Sequence, residues 1–353
     1  MPKLLPSEED KKSIKRILLI QTAFIGDVIL ITPLIKAAKE LFPNALLDII
    51  AIPQTANILE NNPNINSIII FNKKESKLKS FLRILKKIYS NKYDIAILPH
   101  SSLTSVLLVY LGFVKIRIGF DRWIARWFLT KRIPHLQNVY KIEKNLFLLS
   151  PFSDEKFSIQ TELFPSNEMK QKAENILLDF KKSNNISQEV KLVAIAPGSN
   201  WFTKRWLKEH YKTLAEELTK LGFGIIFIGS KDEIDLCEEV SPVINSINLA
   251  GKLSLLESAA VVEKCDVLIC NDSGAMHIAN AVKTDVIVFF GPTVKKIGYF
   301  PFRENDKVME IDLDCRPCSS HGSNSCPLGH HNCMKLIEPS IVLNEIKLKF
   351  TVE

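Results

Sequence analysis

The chain carries two series of short apolar runs, most of them closed by a polar turn containing glycine and then by a helix-forming stretch. Alternation of that kind builds parallel sheets, because parallel neighbours need a crossover connection that returns the chain to the same edge. In the first series the runs fall at 16–21, 46–52, 67–71 and 95–98, with a helix expected over 28–41 ahead of Pro43 and a basic amphipathic helix over 73–92. The second series has runs at 192–196, 224–228, 247–249, 267–270 and 286–289. The stretch between them is polar and closes on KKSNNISQE, which suits a connection between domains. The expected architecture is therefore α/β, with two doubly wound Rossmann-like domains over 1–160 and 191–353 joined by 161–190. Ligands of such sheets bind beyond the carboxyl ends of the strands, so two facing domains would enclose a cleft lined by strand-end turns.

At 353 residues and 46% hydrophobic, the chain can bury two ordinary cores, and 24% charged residues is normal for a globular protein. The net charge of +7 favours acidic partners, among them nucleic acid, an anionic membrane face and phosphorylated small molecules, without choosing between them. The charge is spread along the chain, with no recognition helix or aromatic stacking platform, so nucleic acid is not an expected partner. The leading MPKLLPSEEDKKS is charged and lacks an apolar signal core, which argues against export by that route. The longest apolar candidate, 17–35, is interrupted by Gln21, Gly26, Asp27 and Pro33 and reads as strand, turn and helix, not as a membrane span. Of seven cysteines, Cys237, Cys265 and Cys270 stand isolated in apparent helices or strands, which is no secreted disulfide framework; a reducing cytoplasm is the expected setting.

The turns carry the chemistry. In DVLICNDSGAMHIANA (266–281) the apolar run meets Asn271, Asp272, Ser273 and Gly274, and then a helix with His277 about one turn in. Free backbone N–H groups and the helix dipole at such a junction favour a phosphate. APGSNWFTKRW follows the 192–196 run and crowds Ser199, Asn200, Thr203, Lys204 and Arg205 into one turn, a donor set suited to phosphate oxygens. IIFIGSKDEIDLCEE offers Asp232, a carboxylate able to bind ribose hydroxyls or to cap a helix, and LAGKLSLLES and FFGPTVK repeat the pattern. In the first series, AFIGDVILITP places Gly26 in a tight turn and Asp27 at a helix start. Asp27 is either a first-turn acid or a general base toward an incoming hydroxyl. This turn does not match G-x-G-x-x-G, which counts against a dinucleotide oxidoreductase. Any one of these turns is also what an ordinary helix cap looks like; several together are not.

With the Gly26-Asp27 turn, Pro197-Gly198-Ser199 before Lys204-Arg205-Trp206, Leu249-Ala250-Gly251, Asn271-Asp272-Ser273-Gly274 with His277, and Gly291-Pro292-Thr293, the chain resembles the ADP-heptose:lipopolysaccharide heptosyltransferases of glycosyltransferase family 9 over nearly its whole length. Within that family it looks most like the type that adds the second inner-core heptose. The resemblance implies a GT-B fold, an N-terminal acceptor domain and a C-terminal ADP-sugar domain. It also implies inversion at the anomeric carbon with no cofactor needed for catalysis. Carried over by position, Asp27 is the general base, and Ser199 and Lys204 bind the donor diphosphate together with the backbone at Ser273 and Gly274. Asp272 and His277 lie near the heptose or its phosphate, and Asn200 and Asp232 complete the donor set. This chain has Ser199 and Asn200 where members often have Thr. The implied partners are ADP-heptose and a lipid A–Kdo/heptose acceptor at the inner membrane, so the enzyme is expected in the cytoplasm and peripheral to that membrane. The alternative is a glycosyltransferase or epimerase of the same fold acting on another sugar nucleotide or on a protein.

On the acceptor side, Gly26, His100, Ser101 and Arg122 are the expected contacts. The basic helix KKESKLKSFLRILKKIYSNK sets Leu78, Phe81, Leu82, Leu85 and Ile88 on one face, as a helix lying on anionic lipid or packed on its own sheet would. In FDRWIARWF, Arg122 and Arg126, and Trp123 and Trp127, repeat at i and i+4. Cys315, Cys318, Cys326 and Cys333, spaced C-x2-C-x7-C-x6-C, suggest either a knuckle holding a structural zinc or iron or a set of free thiols. Asp312-Leu313-Asp314 has the form of a metal-binding D-x-D but follows the last run of the second series, out of place for a sugar-nucleotide metal.

Overall fold

The computed structural model describes residues 8–72, 76–100, 102–242 and 244–351. The chain divides into two compact units, Met1–Phe164 and Pro165–Glu353. The first contains β1 (Arg16–Ile20), α1 (Ile25–Ile29), β2 (Leu46–Ala51), β3 (Ser67–Ile70), α2 (Lys77–Asn91), β4 (Ile95–Leu98), α3 (Leu103–Leu111), β5 (Ile116–Phe120), β6 (Lys131–Ile133) and α4 (Lys141–Leu146). The six strands form one parallel sheet in the order β3-β2-β1-β4-β5-β6. β1 and β4 are buried along almost their full length, as strands covered on both faces must be. Ile84 and Ile88 of α2 pack on Leu18, Ala96 and Leu98 of that sheet.

The expected helix over 28–41 is two helices, α1 and Thr32–Leu41, with Leu30 and Ile31 between them. Pro33 has no N–H to give the carbonyl of Ile29, and the Thr32 hydroxyl donates to that carbonyl instead at 2.8 Å. Starting at Ile25, α1 carries Asp27 in its first turn.

In the second unit come α5 (Asn167–Ser183), β7 (Leu192–Ala196), β8 (Gly224–Phe227), β9 (Ser246–Asn248), α6 (Leu255–Glu263), β10 (Val267–Asn271), α7 (Gly274–Ala281), β11 (Asp285–Phe290) and β12 (Lys307–Glu310). The sheet order, β12-β11-β10-β7-β8-β9, is again fully parallel and is the first sheet's order repeated. Both units are therefore doubly wound, with reversal points between β1 and β4 and between β7 and β10. Most of the polar stretch expected as a connection is α5. Ser166 caps it by accepting from the Met169 amide at 3.2 Å, and its Lys172 pairs with Glu257 of α6 at 2.6 Å.

β5, β6 and β12 are strands beyond the expected set. β6 and β12 are edge strands with charged, exposed positions, so they lack the apolar run by which their neighbours are read. The Arg-Trp repeat forms a 3-10 turn, Trp123–Phe128, and Trp127 is 74% exposed.

Asp48 of β2 is buried and accepts from the Tyr93 hydroxyl at 2.6 Å and from Asn66 Nδ2 at 2.7 Å, with Arg16 Nη1 at 3.6 Å. Replacing it by Ala strands these groups, and we expect Asp48→Ala to cost about 3 kcal/mol. The urea midpoint should fall with the slope unchanged.

Candidate active site

The turns at the reversal point of the second sheet are held by one side chain. Asn271 ends β10 fully buried, where its amide can meet only protein. Its Nδ2 donates to the carbonyls of Pro197 (2.8 Å) and Gly198 (3.2 Å). Its Oδ1 accepts from the Trp206 amide (2.8 Å) and the Tyr211 hydroxyl (3.1 Å). Trp206 is itself anchored by stacking on Phe289 at 4.2 Å and by donating Nε1–H to the Ile337 carbonyl at 2.8 Å. The turn between Pro197 and Trp206 is thereby pinned at both ends, with Lys204 in its middle.

The next residue, Asp272, joins a third turn to these two. One carboxylate oxygen accepts from Lys204 Nζ at 2.6 Å and from the Thr293 hydroxyl at 2.6 Å. Only 13% of the Lys204 side chain and 7% of the Asp272 side chain are exposed. Beneath the Pro197-Gly198 turn lies Glu233, whose carboxylate accepts from the Ser230 amide at 2.7 Å. A Cβ at Gly198 would fall 1.7 Å from that carboxylate, so a larger residue here would push the Glu233 side chain aside.

α7 begins directly after Ser273, which is extended and makes no side-chain capping bond, so the amides of its first turn have neither an intrahelical nor a capping side-chain partner. An anion there would meet those amides, the helix dipole and, by exchange with Asp272, the Lys204 ammonium. His277 is buried one turn in, its ring edge-on to Tyr299 at 6.5 Å. Ser199 is buried and its carbonyl accepts from Arg205 Nε at 2.8 Å, whereas Asn200 and Asp232 are exposed. In the box at the end of β8 it is Glu233, not Asp232, that caps.

The cysteine-rich segment folds over the Lys204 turn. Thr203 and Ser323 exchange bonds, amide to carbonyl at 3.0 Å and amide to hydroxyl at 2.8 Å, and His331 Nε2 lies 2.9 Å from the Thr203 carbonyl while its ring stacks on Phe202. Gly322, at φ +95°, sits against Trp201 and Lys204. Arg316 donates to the carbonyls of Phe290, Gly291, Thr293 and Ile311, fixing the turn that carries Thr293. The four cysteines share one neighbourhood, with Cys315, Cys318 and Cys326 all close enough to Cys333 for their charges to reach it. Among the described residues no three His, Cys, Asp or Glu side chains gather to hold a metal ion. Cys333 packs into the apolar core, and the Cys318 thiol donates to the Cys315 carbonyl at 3.0 Å. Packing and hydrogen bonds hold this segment against the Lys204 turn.

In the first unit, Asp27 is half-buried on α1 just past the end of β1, and Gly26 precedes it. His100 is exposed beyond β4, and Ser101 lies outside the described residues. Arg122, after β5, belongs to a basic cluster. Its Nη2 lies 2.6 Å from His135 Nε2, and Lys144 Nζ of α4 lies 2.8 Å from the same nitrogen. Lys141 is close enough to Asp27 for the two charges to interact. Burial holds the Lys141 ammonium below its ordinary value, Asp27 opposes that shift and Arg122 adds to it.

A family model for glycosyltransferase family 9 (heptosyltransferase) matches residues 81–328. The chain belongs to this family. It is a glycosyltransferase with the GT-B fold. Among curated relatives it is 27% identical over 331 residues to lipooligosaccharide heptosyltransferase 2 of Campylobacter jejuni, covering 92% of this chain and 96% of the relative. Among solved structures it superposes on a family 9 glycosyl transferase from Veillonella parvula with a TM-score of 0.80, at 22% identity and covering 95% and 96% of the two chains. ADP-heptose LPS heptosyltransferase II of E. coli gives a TM-score of 0.77 at 20% identity, covering 94% and 98%.

The structure brings Ser199, Lys204, Asp272, Ser273, Gly274 and His277 to the carboxyl edge of one sheet, and Gly26, Asp27, His100 and Arg122 to that of the other. Not foreseen as site residues were Asn271, Thr293, His135, Lys141 and Lys144. Thr293 lies in a turn already noted for its chemistry, and the two lysines stand at i and i+3, a spacing equally common on any solvated helix.

Lys204→Met leaves the Asp272 carboxylate buried with Thr293 alone, which is expected to cost about 3 kcal/mol. Lys204→Met combined with Asp272→Asn should recover most of that loss in a denaturation double-mutant cycle.

Proposed function

We propose that the protein transfers heptose from ADP-heptose to the inner core of lipopolysaccharide, with inversion, and that it adds the second heptose. The observation that carries the reading is the uncapped start of α7 beside the Lys204–Asp272–Thr293 cluster, within a chain of this family. The name of the Campylobacter jejuni relative supports the choice of the second heptose. The second unit is the ADP-sugar domain and the first the acceptor domain.

In the reaction an acceptor hydroxyl attacks the anomeric carbon, the bond from that carbon to the β-phosphate oxygen breaks, and ADP leaves. Negative charge builds on the departing diphosphate, where Lys204 and the first-turn amides of α7 stabilise it in place of a metal ion. Asp27 takes the proton of the attacking hydroxyl as the new bond forms, a contribution of roughly 10²- to 10⁴-fold. Asp272 and Thr293 hold Lys204 in position, and Ser199 and His277 line the donor side.

The acceptor is a membrane lipid, and this reading places the enzyme in the cytoplasm, peripheral to the inner membrane. No helix among the described residues is long and apolar enough to cross a membrane. Besides its core face, α2 carries a second stripe, with Leu78 67%, Leu82 53% and Tyr89 63% exposed. Phe113 meets Tyr89 edge-on at 6.2 Å and is itself 77% exposed. Phe113 closes α3 in the left-handed region at φ 57°, a position that favours glycine. Lys79, Arg83, Lys86 and Lys87 are exposed on the same helix, which has no acidic residue, so the face is complementary to anionic lipid.

With ADP-heptose and an inner-core acceptor lacking the second heptose, the protein should release ADP, and Asp27→Asn should reduce that rate about 10²-fold or more with ADP affinity unchanged. No ADP release and no donor binding by the wild type would sink the reading; full rate in Asp27→Asn would sink the base assignment. Leu82→Ser with Phe113→Ser should weaken co-sedimentation with phosphatidylglycerol vesicles and leave the unfolding midpoint in place.

A further inference from the structure

Residues 316–323 close a circuit of contacts around two turns of the second unit. Arg316, whose side chain is 5% exposed, donates through Nη2 to the carbonyls of Phe290 and Thr293, each at 3.0 Å. Its Nε and Nη1 reach the carbonyls of Gly291 and Ile311, each at 2.5 Å. The Cys318 amide takes the Pro292 carbonyl at 3.1 Å. Every carbonyl from Phe290 to Thr293, the turn after β11, is thus received by this one segment. Met334 packs on the same turn, so closely that a Cβ at Gly291 would stand 2.8 Å from its Cε. Glu310, at the end of β12, accepts from Arg316 Nη2 at 2.9 Å and balances its charge.

The turn so held carries Thr293, whose hydroxyl and the Lys204 ammonium share a single oxygen of Asp272, each at 2.6 Å. Lys204 follows Thr203, which exchanges bonds with Ser323, and from Ser323 the chain runs back to Arg316. In a closed network of this kind a displacement at one link is passed to the next. A lysine ammonium on its flexible stem gains most from such restraint, because a donor stabilises developing charge only if it already stands where that charge appears. We propose that Arg316 is a positioning residue for the transfer reaction: acting through Thr293 and Asp272, it sets where the Lys204 ammonium stands toward the leaving diphosphate. This rests on the proposed transferase reading and adds to it a buried residue that works without meeting the donor. The planar guanidinium holds several carbonyls at fixed angles, which a glutamine amide in its place cannot do.

The test compares ADP with AMP, which lacks the phosphate next to the leaving oxygen. Calorimetric titration of the whole protein should show the wild type preferring ADP. In Arg316→Gln that preference should narrow about fivefold with AMP affinity kept within about twofold, and kcat for heptosyl transfer should fall about tenfold or more with the acceptor KM unchanged. Arg316→Gln added to Lys204→Met should slow transfer by no more than about twofold beyond Lys204→Met alone, since both act through one ammonium. A purely structural role would weaken ADP and AMP together and make the two losses in kcat multiply, and either result overturns the inference. Thr293→Val breaks the same circuit one link further on and should reproduce the narrowed preference, whereas Thr293→Ser keeps the hydroxyl and should hold the wild-type kcat. That pair decides the matter if Arg316→Gln does not fold. Wild-type ADP preference and kcat in folded Arg316→Gln, or in Thr293→Val, overturns the inference and leaves the transferase reading standing. A wild type that binds neither nucleotide overturns the transferase reading, and the inference falls with it.

Discussion

An amide that ends a fully buried strand must find every partner inside the protein, and Asn271 meets that demand by tying two loops to its own strand. Its four bonds set where the chain leaves β7 and where it resumes at Trp206. Lys204 lies between those fixed points and so reaches Asp272 with little freedom. Asp272 brings in Thr293, and Arg316 locks the turn of Thr293 through its carbonyls. Remove the amide, and the three turns lose their common reference.

The two ligand edges share a topology and differ in electrostatics. In the second unit the buried cation is neutralised within the fold, and the open donors are backbone amides at the start of α7. In the first unit, side-chain cations crowd one imidazole, and the charge on Lys141 interacts with Asp27. A backbone cradle is insensitive to side-chain protonation, whereas a cluster holding His135 and Lys144 is not. The same sheet order thus carries two different electrostatic environments at its carboxyl edge.

Much of the fold was legible because buried parallel strands must be apolar along their length. The runs that became β1, β4, β7, β10 and β11 could be read for that reason, whereas β6 and β12 lie at sheet edges and need no such run. The turn after β10 could be recognised because local chemistry alone makes it: polar turn residues before a helix former. Asn271 as the organising side chain could not be, since its partners lie 60 to 74 residues away in sequence. The basic cluster was hidden in the same way. Only Arg122 stood out locally, and His135, Lys141 and Lys144 join it through the pairing of β5 with β6 and the placement of α4. The cysteine spacing says nothing of depth, and Cys333 packs into the core.

The pairing of Lys204 with Asp272 also bears on how tightly any phosphate can be held. A diphosphate that recruits Lys204 does so by exchange, giving up a short, nearly dry contact to form another, so the protein gains only the difference. On the proposed reading, binding of the intact donor and of the departing ADP is tempered alike. An ammonium with no internal partner would grip both more strongly and let the second go more slowly, so the resident carboxylate favours turnover over retention.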